Sequence, residues 1–323
     1  MTLSTRIALR KLKGRNKMEL KKSIFMSIAF MLIGLIGMLS PAYAVSQGLD
    51  TAKIESITGL KGSFNEDQSV FKVSSPRTDV KVFVDQWTMP PFMGLTSWAG
   101  FTKGSKTNIM VMGDLVLFQD EVNPVMSVLL DSGLQVTALH NHFFFDEPKV
   151  FFMHIAGEGN VEQLATAVRK AFDKVKEIRS ANPVPLNGFG SSDIMQPSSI
   201  TPKTIEDILN AKGQSKDGMF KVVMGRKTRM SCGCKVGKDM GINTWAAFAG
   251  SDNKAVVDGD FVVHEDEVQS VLKVLRESSI NVVAIHSHMI QENPRMLFIH
   301  YWGIGSTVDL AKGLKAALKT QKL

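Results

Sequence analysis

From about residue 50 onward, stretches of two-residue apolar alternation give way to stretches of helical apolar spacing, and the same order of periods is met twice along the chain. Val111 to Phe118 alternates and is rich in β-formers, which predicts a strand. Asp120 is then set to cap a helix in which Val122, Val125, Met126 and Leu129 recur at helical spacing, with Pro124 early enough for the first turn. Leu134 to Leu139 returns to strand chemistry. A loop holding Asp146 and Pro148 leads into a further strand, Val150 to Ile155, and a last helix is marked by Leu164, Val168 and Phe172. A short helix and several strands precede this tail. Such an order predicts an α+β fold, a mostly antiparallel sheet with helices packed on one side.

The second occurrence is a copy of the first. Residues 111–159 and 257–305 align without a gap at an offset of 146, and twenty of the 49 positions are identical. Upstream the match continues: Ile54-Glu55-Ser56-Ile57 corresponds to Ile205-Glu206-Asp207-Ile208, Phe71-Lys72-Val73 to Phe220-Lys221-Val222, and Trp98 to Trp245. Two homologous, pseudo-twofold-related domains are therefore expected, at 45–180 and 202–323. The Pro- and Ser-rich stretch 181–201 reads as the linker between them.

Residues 1–44 have the layout of a secretory signal. Lys21 and Lys22 close a basic region, Ser23 to Leu39 is apolar, and Pro41-Ala42-Tyr43-Ala44 offers a small-x-small cleavage pattern. Met18 is an alternative start. This layout predicts export to the periplasm or beyond, with no membrane attachment once the signal is cleaved. Without the leader the chain carries 30 basic and 30 acidic side chains, so the excess of seven positive charges belongs to the leader. A balanced domain pair without a basic stripe gives no footprint for nucleic acid.

Six of the seven histidines form two identical arrays: His140-x-His142 with His154 twelve residues later, and His286-x-His288 with His300 twelve later. On a strand, residues two apart share a face, so both imidazoles of such a pair can converge in front of the sheet. His154 joins them in an even hairpin register and leaves them in an odd one. Three neutral imidazoles with an open position suit zinc or another first-row transition metal. Their neighbours have diverged between the copies while all six histidines stayed, which favours a shared role over simple inheritance.

Asp146 and Glu292 hold equivalent loop positions beside the arrays and are the candidate catalytic carboxylates, as a fourth ligand, an imidazole partner or a general base. Their plainer reading is as turn residues. Glu121 and Glu267, each preceded by an aspartate, read as helix N-terminal charges. Cys232 and Cys234 read as two reduced cysteines on one strand face, with a soft-metal site as the alternative; the first copy has no counterpart to them.

The stretches Thr137-Ala138-Leu139-His140-Asn141-His142-Phe143-Phe144, Asp146-Glu147-Pro148, Asn243-Thr244-Trp245-Ala246-Ala247-Phe248-Ala249-Gly250 and Val283-Ala284-Ile285-His286-Ser287-His288-Met289 resemble the LppY/LpqO family of exported bacterial proteins. The resemblance runs from about Asp50 to Leu318 and implies a duplicated domain of unknown function in the cell envelope. The lipid anchor of some members does not carry over, because no cysteine stands at the cleavage site. Taken together, the expectation is an exported envelope protein that binds a transition metal or small ligand through both histidine arrays. The alternative is a metal-dependent hydrolase acting on a peptidoglycan-like envelope polymer.

Overall fold

A computed structural model describes residues 49–104 and 108–322. The signal-peptide reading of residues 1–44 lies outside them. Among the described residues no helix is long and apolar enough to cross a membrane.

In each half a short helix leads into a six-stranded antiparallel array. The first half runs α1 (Thr51–Thr58), β1 (Gly62–Asn65), β2 (Val70–Pro76), β3 (Val82–Val84), β4 (Trp87–Met89), β5 (Thr96–Lys103), β6 (Ile109–Phe118), α2 (Gln119–Asp131), β7 (Gln135–His140), β8 (Asp146–Glu147), β9 (Val150–Gly159) and α3 (Val161–Ala181). The second repeats it as α4 (Pro202–Leu209), β10 (Gly213–Lys216), β11 (Met219–Gly225), β12 (Thr228–Arg229), β13 (Lys235–Val236), β14 (Asn243–Gly250), β15 (Ala255–His264), α5 (Val268–Glu277), β16 (Asn281–His286), β17 (Met296–Gly305) and α6 (Thr307–Lys319). The main sheet has twelve strands in the order β1-β2-β5-β6-β9-β7-β16-β17-β15-β14-β11-β10. The predicted two-copy α+β architecture is thus present, and the copies share one sheet.

The alternation read in the sequence decides which face is covered. Val111, Leu115 and Leu117 of β6, Met153 and Ile155 of β9, and Val136 and Leu139 of β7 enter the main core with Val125, Met126 and Leu129 of α2 and Leu164 and Val168 of α3. The intervening residues of these strands point to the opposite face. There the excursions 76–95 and 225–242 build two small satellite cores, one around Val116, Phe118 and Phe152 and one around Val262, Met296 and Phe298.

The halves meet at an antiparallel pair, Leu139 with Ile285, two residues that are themselves equivalent under the 146-residue offset. Equivalents that pair with each other lie at a local twofold. On both sides the register slips by one residue, between Val136 and Ala138 and between Val282 and Ala284. The bulge leaves a backbone N–H and C=O without ladder partners, and a side-chain amide from the other half takes both. Val282 N–H donates to Asn123 Oδ1 (2.7 Å) and Asn123 Nδ2 donates to the Val282 carbonyl (3.1 Å). Gln269, the counterpart of Asn123, grips Val136 in the same way, at 3.0 and 2.9 Å.

The start of α2 departs from the sequence reading. Asp120 does not cap it; Glu121 reaches back to accept from Phe118 N–H (2.9 Å) while fully buried between Arg77 and Arg179. Asp120 pairs with Arg179 instead. Glu267 repeats the arrangement with His264 N–H (2.8 Å) and Arg226. Cys232 and Cys234 are also not on a strand: they lie in the turn before β13 and are joined as a disulfide.

Candidate metal centre

His140 and His286 end their strands, on the helix-free face, immediately after the paired Leu139 and Ile285. His142 and His288 lie beyond the strand ends, in the loops that follow. The expectation that both members of each pair sit on a strand is corrected here: each second imidazole is instead folded back by ring stacking, His142 on Phe152 and His288 on Phe298, both at 3.4 Å between centroids. The register left open by the sequence is even. Ala138 pairs with His154 and Ala284 with His300, so the third histidine of each array shares the face of the first. Ring centroids of His140 and His154 are 5.1 Å apart, those of His286 and His300 4.8 Å.

The structure adds a residue that sequence reasoning missed. Asp114 on β6 pairs with His154, and Asp260 on β15 pairs with His300, which brings a carboxylate beneath each array. The signal was present: these aspartates are identical across the offset and stand in the middle of strands that are mostly apolar. In the second half the carboxylate completes a cluster. One ligand atom each from Asp260, His286 and His288 lies within 4.8 Å of the others, with His288 Nε2 3.4 Å from Asp260 Oδ2. It is the one such cluster among the described residues. The expected duplicated three-histidine arrays are corrected accordingly: the first-half set of His140, His142 and His154 does not close, and in the second half His300 is turned aside, its Nδ1 3.3 Å from the Gly259 carbonyl.

Burial sets the electrostatics. It pushes the Asp260 carboxyl above its ordinary range, against the pull of the three imidazoles around it. The His286 imidazole is held below its ordinary value, again chiefly by burial, so it is neutral and able to ligate at neutral pH. Two buried atoms of the cluster, Asp260 Oδ1 and His286 Nδ1, have no hydrogen-bond partner among protein atoms. A buried polar atom without a partner is costly. Two imidazoles and one carboxylate form a donor set that first-row divalent metals accept.

Asp146 and Glu292 are engaged elsewhere. Asp146 is buried and accepts from Val150 N–H (2.7 Å) and from the Lys149 ammonium (2.6 Å); Glu292 accepts from Met296 N–H (3.0 Å). Both tie the hairpin loop to the strand that follows it.

A duplicated antiparallel domain with one two-histidine, one-carboxylate cluster is the class that fold and site define. The chain belongs to the family described as Domain of Unknown Function (DUF1259), which matches it twice, over residues 52–174 and 203–320. No curated protein matches it. Among solved structures it is similar to the trimeric bacterial microcompartment shell protein PduB, at 11% identity over 80% of this chain and 89% of that one, with a TM-score of 0.20. It is also similar to the double-ringed trimeric shell protein MSM0271 from the RMM microcompartment, at 10% identity over 68% and 82%, with a TM-score of 0.17. Superposition that loose carries no argument about assembly or compartment. These findings correct the LppY/LpqO assignment and what hung on it. The family found is one of unknown function, and its match gives no support to an envelope location or an envelope substrate. The exported, periplasmic location, the envelope polymer and the envelope hydrolase are not retained.

Proposed function

We propose that the protein is a metal-ion-binding protein whose second half holds one first-row divalent transition-metal ion, zinc or a neighbour, through Asp260, His286 and His288. The observation that carries this reading is that one ligand atom each from Asp260, His286 and His288 lies within 4.8 Å of the others, while one oxygen of the buried carboxylate, Asp260 Oδ1, and one imidazole nitrogen, His286 Nδ1, lack a hydrogen-bond partner. Three protein ligands leave positions open for water or a small ligand. Asp146 and Glu292 have no part in it.

Elemental analysis of the full chain, equilibrated with zinc and freed of loose metal, tests the reading. One ion per chain is expected. Asp260→Asn and His286→Ala should each remove it, while His140→Ala should leave it in place. Retention of no metal, or equal loss from His140→Ala, would overturn the assignment.

A further inference from the structure

The linker, residues 182–201, does not run free between the halves. Its start is fixed where Leu186 N–H donates to Asp120 Oδ2 (3.1 Å), itself held by Arg179. Its end is fixed by Ser199 N–H to the Gly250 carbonyl (2.7 Å), by Gly250 N–H to Ser198 Oγ (3.0 Å), and by the Asp193–Lys254 ion pair. Between these anchors it crosses the helix-free face of the second half and roofs a cavity of about 590 Å³. Leu186 and Phe189 line the roof, and Trp245, Asp258, His300 and Trp302 line the floor. Leu186 and Phe189 stay half exposed, so the linker covers this space without filling it.

The duplication shows what is particular to this cavity. Trp245 and His300 have the same residues as counterparts in the first half, Trp98 and His154. Trp302 and Asp258 do not: Ala156 and Met112 stand in their places. The residues that distinguish the second half are thus an aromatic wall and a carboxylate, set opposite each other where β15 and β17 pair. Among the described residues that line the cavity, Asp258 and the imidazole of His300 are the ionisable groups, and none is a lysine or arginine. Lys221 already lies over the Trp245 ring, 4.0 Å from its centroid, as Lys72 lies over Trp98 at 4.3 Å. Among the described residues no lysine or arginine lies over the Trp302 or Phe189 ring.

We propose that this cavity binds a small organic cation with an apolar body, an alkyl- or arylammonium, its charge placed at Asp258 against the faces of Trp302 and Phe189 and its body among Leu186 and Trp245. A cation is attracted to an aromatic face even at a solvent-exposed site, and this site is of that kind: Asp258 is exposed, and Leu186 and Phe189 are half exposed. The volume is in the range of small-ligand pockets. The proposal does not depend on the metal reading.

The test is titration of the full chain, kept in a chelator so that metal plays no part, with benzyltrimethylammonium, followed by calorimetry and tryptophan fluorescence. Saturable binding is expected, with the uncharged isostere neopentylbenzene about two- to fivefold weaker, the magnitude that a cation–π contact at an exposed site supplies. Asp258→Asn should weaken binding several-fold. Trp302→Ala should abolish it, and that variant installs the residue the first half already carries at this position. Equal affinity for the neutral isostere, or unchanged binding in both variants, would overturn the proposal.

Discussion

Asp114, His140, His142 and His154 in the first half hold the positions of Asp260, His286, His288 and His300 in the second, on one face of one sheet, yet only the second set brings three ligand atoms together. The difference lies in ring orientation. His140 and His142 lie nearly parallel, 12° apart, while His286 and His288 are tilted by 54° at the same 5.1 Å separation. The second imidazole stacks alike in both halves, His142 on Phe152 and His288 on Phe298 at 3.4 Å; it is the first that turns, His140 lying 13° from Phe152 and His286 46° from Phe298, and only in the first half is the second imidazole met edge-on, at 5.9 Å, by a phenyl ring, that of Phe143. Its counterpart is Met289, a flexible side chain that imposes no such geometry. Identical ligands at equivalent positions therefore differ in competence through the turn of one imidazole, His140 against His286.

The largest expected effect separates the halves by how deeply the arginine partners of their equivalent buried carboxylates lie. Glu121→Ala strips two arginines with 5% and 7% exposed side chains of their shared partner and should cost about 3–5 kcal/mol in urea unfolding. Glu267→Ala should cost less, since Arg226 is 17% exposed and can recruit water. Equal costs would contradict the contrast.

At the seam the two halves act on each other, and Asn123→Ala should cost about 2 kcal/mol by leaving both backbone groups of Val282 unpaired in a buried site. Gln269→Ala should cost less, because its contacts with Val136 are only part-buried. A double variant more destabilised than the sum would mean that the two clamps together hold the Leu139–Ile285 pairing.

The neighbour effect at the metal cluster is sharper and smaller. Met289→Phe rebuilds the first-half surroundings around His288 and should weaken zinc binding about tenfold, roughly 1.4 kcal/mol, with no change in fold by circular dichroism. Unchanged affinity would mean that the ring orientation has another cause.

The smallest effect is one of pH. At Glu267 burial opposes ionisation, but the Arg226 guanidinium and the N–H groups of His264 and Lys322 outweigh it and hold the carboxyl below its ordinary value. A carboxyl lowered on folding adds stability above its unfolded value of about 4.3 and loses it as pH falls through the folded one. The stability gap between the unmutated protein and Glu267→Gln should accordingly narrow as unfolding is measured from pH 6 downward. A gap that widens toward acid would reverse the assignment.

By itself the sequence determined the architecture. Two apolar periodicities in a repeated order specify strands and helices, and a constant offset of 146 residues specifies two copies, because both are local properties of the chain. It also singled out the six histidines. It did not single out Asp260, which is brought under His286 only by strand pairing through β17 across some 26 residues of chain, nor the fact that His300 turns aside while His288 folds back on Phe298. The roof over Trp302 was equally out of reach, since a Pro- and Ser-rich segment carries no periodicity to say what it will lie against. Those outcomes depend on register, ring packing and where a linker is pinned. All three are set by contacts between residues distant in sequence, and only the folded chain decides them.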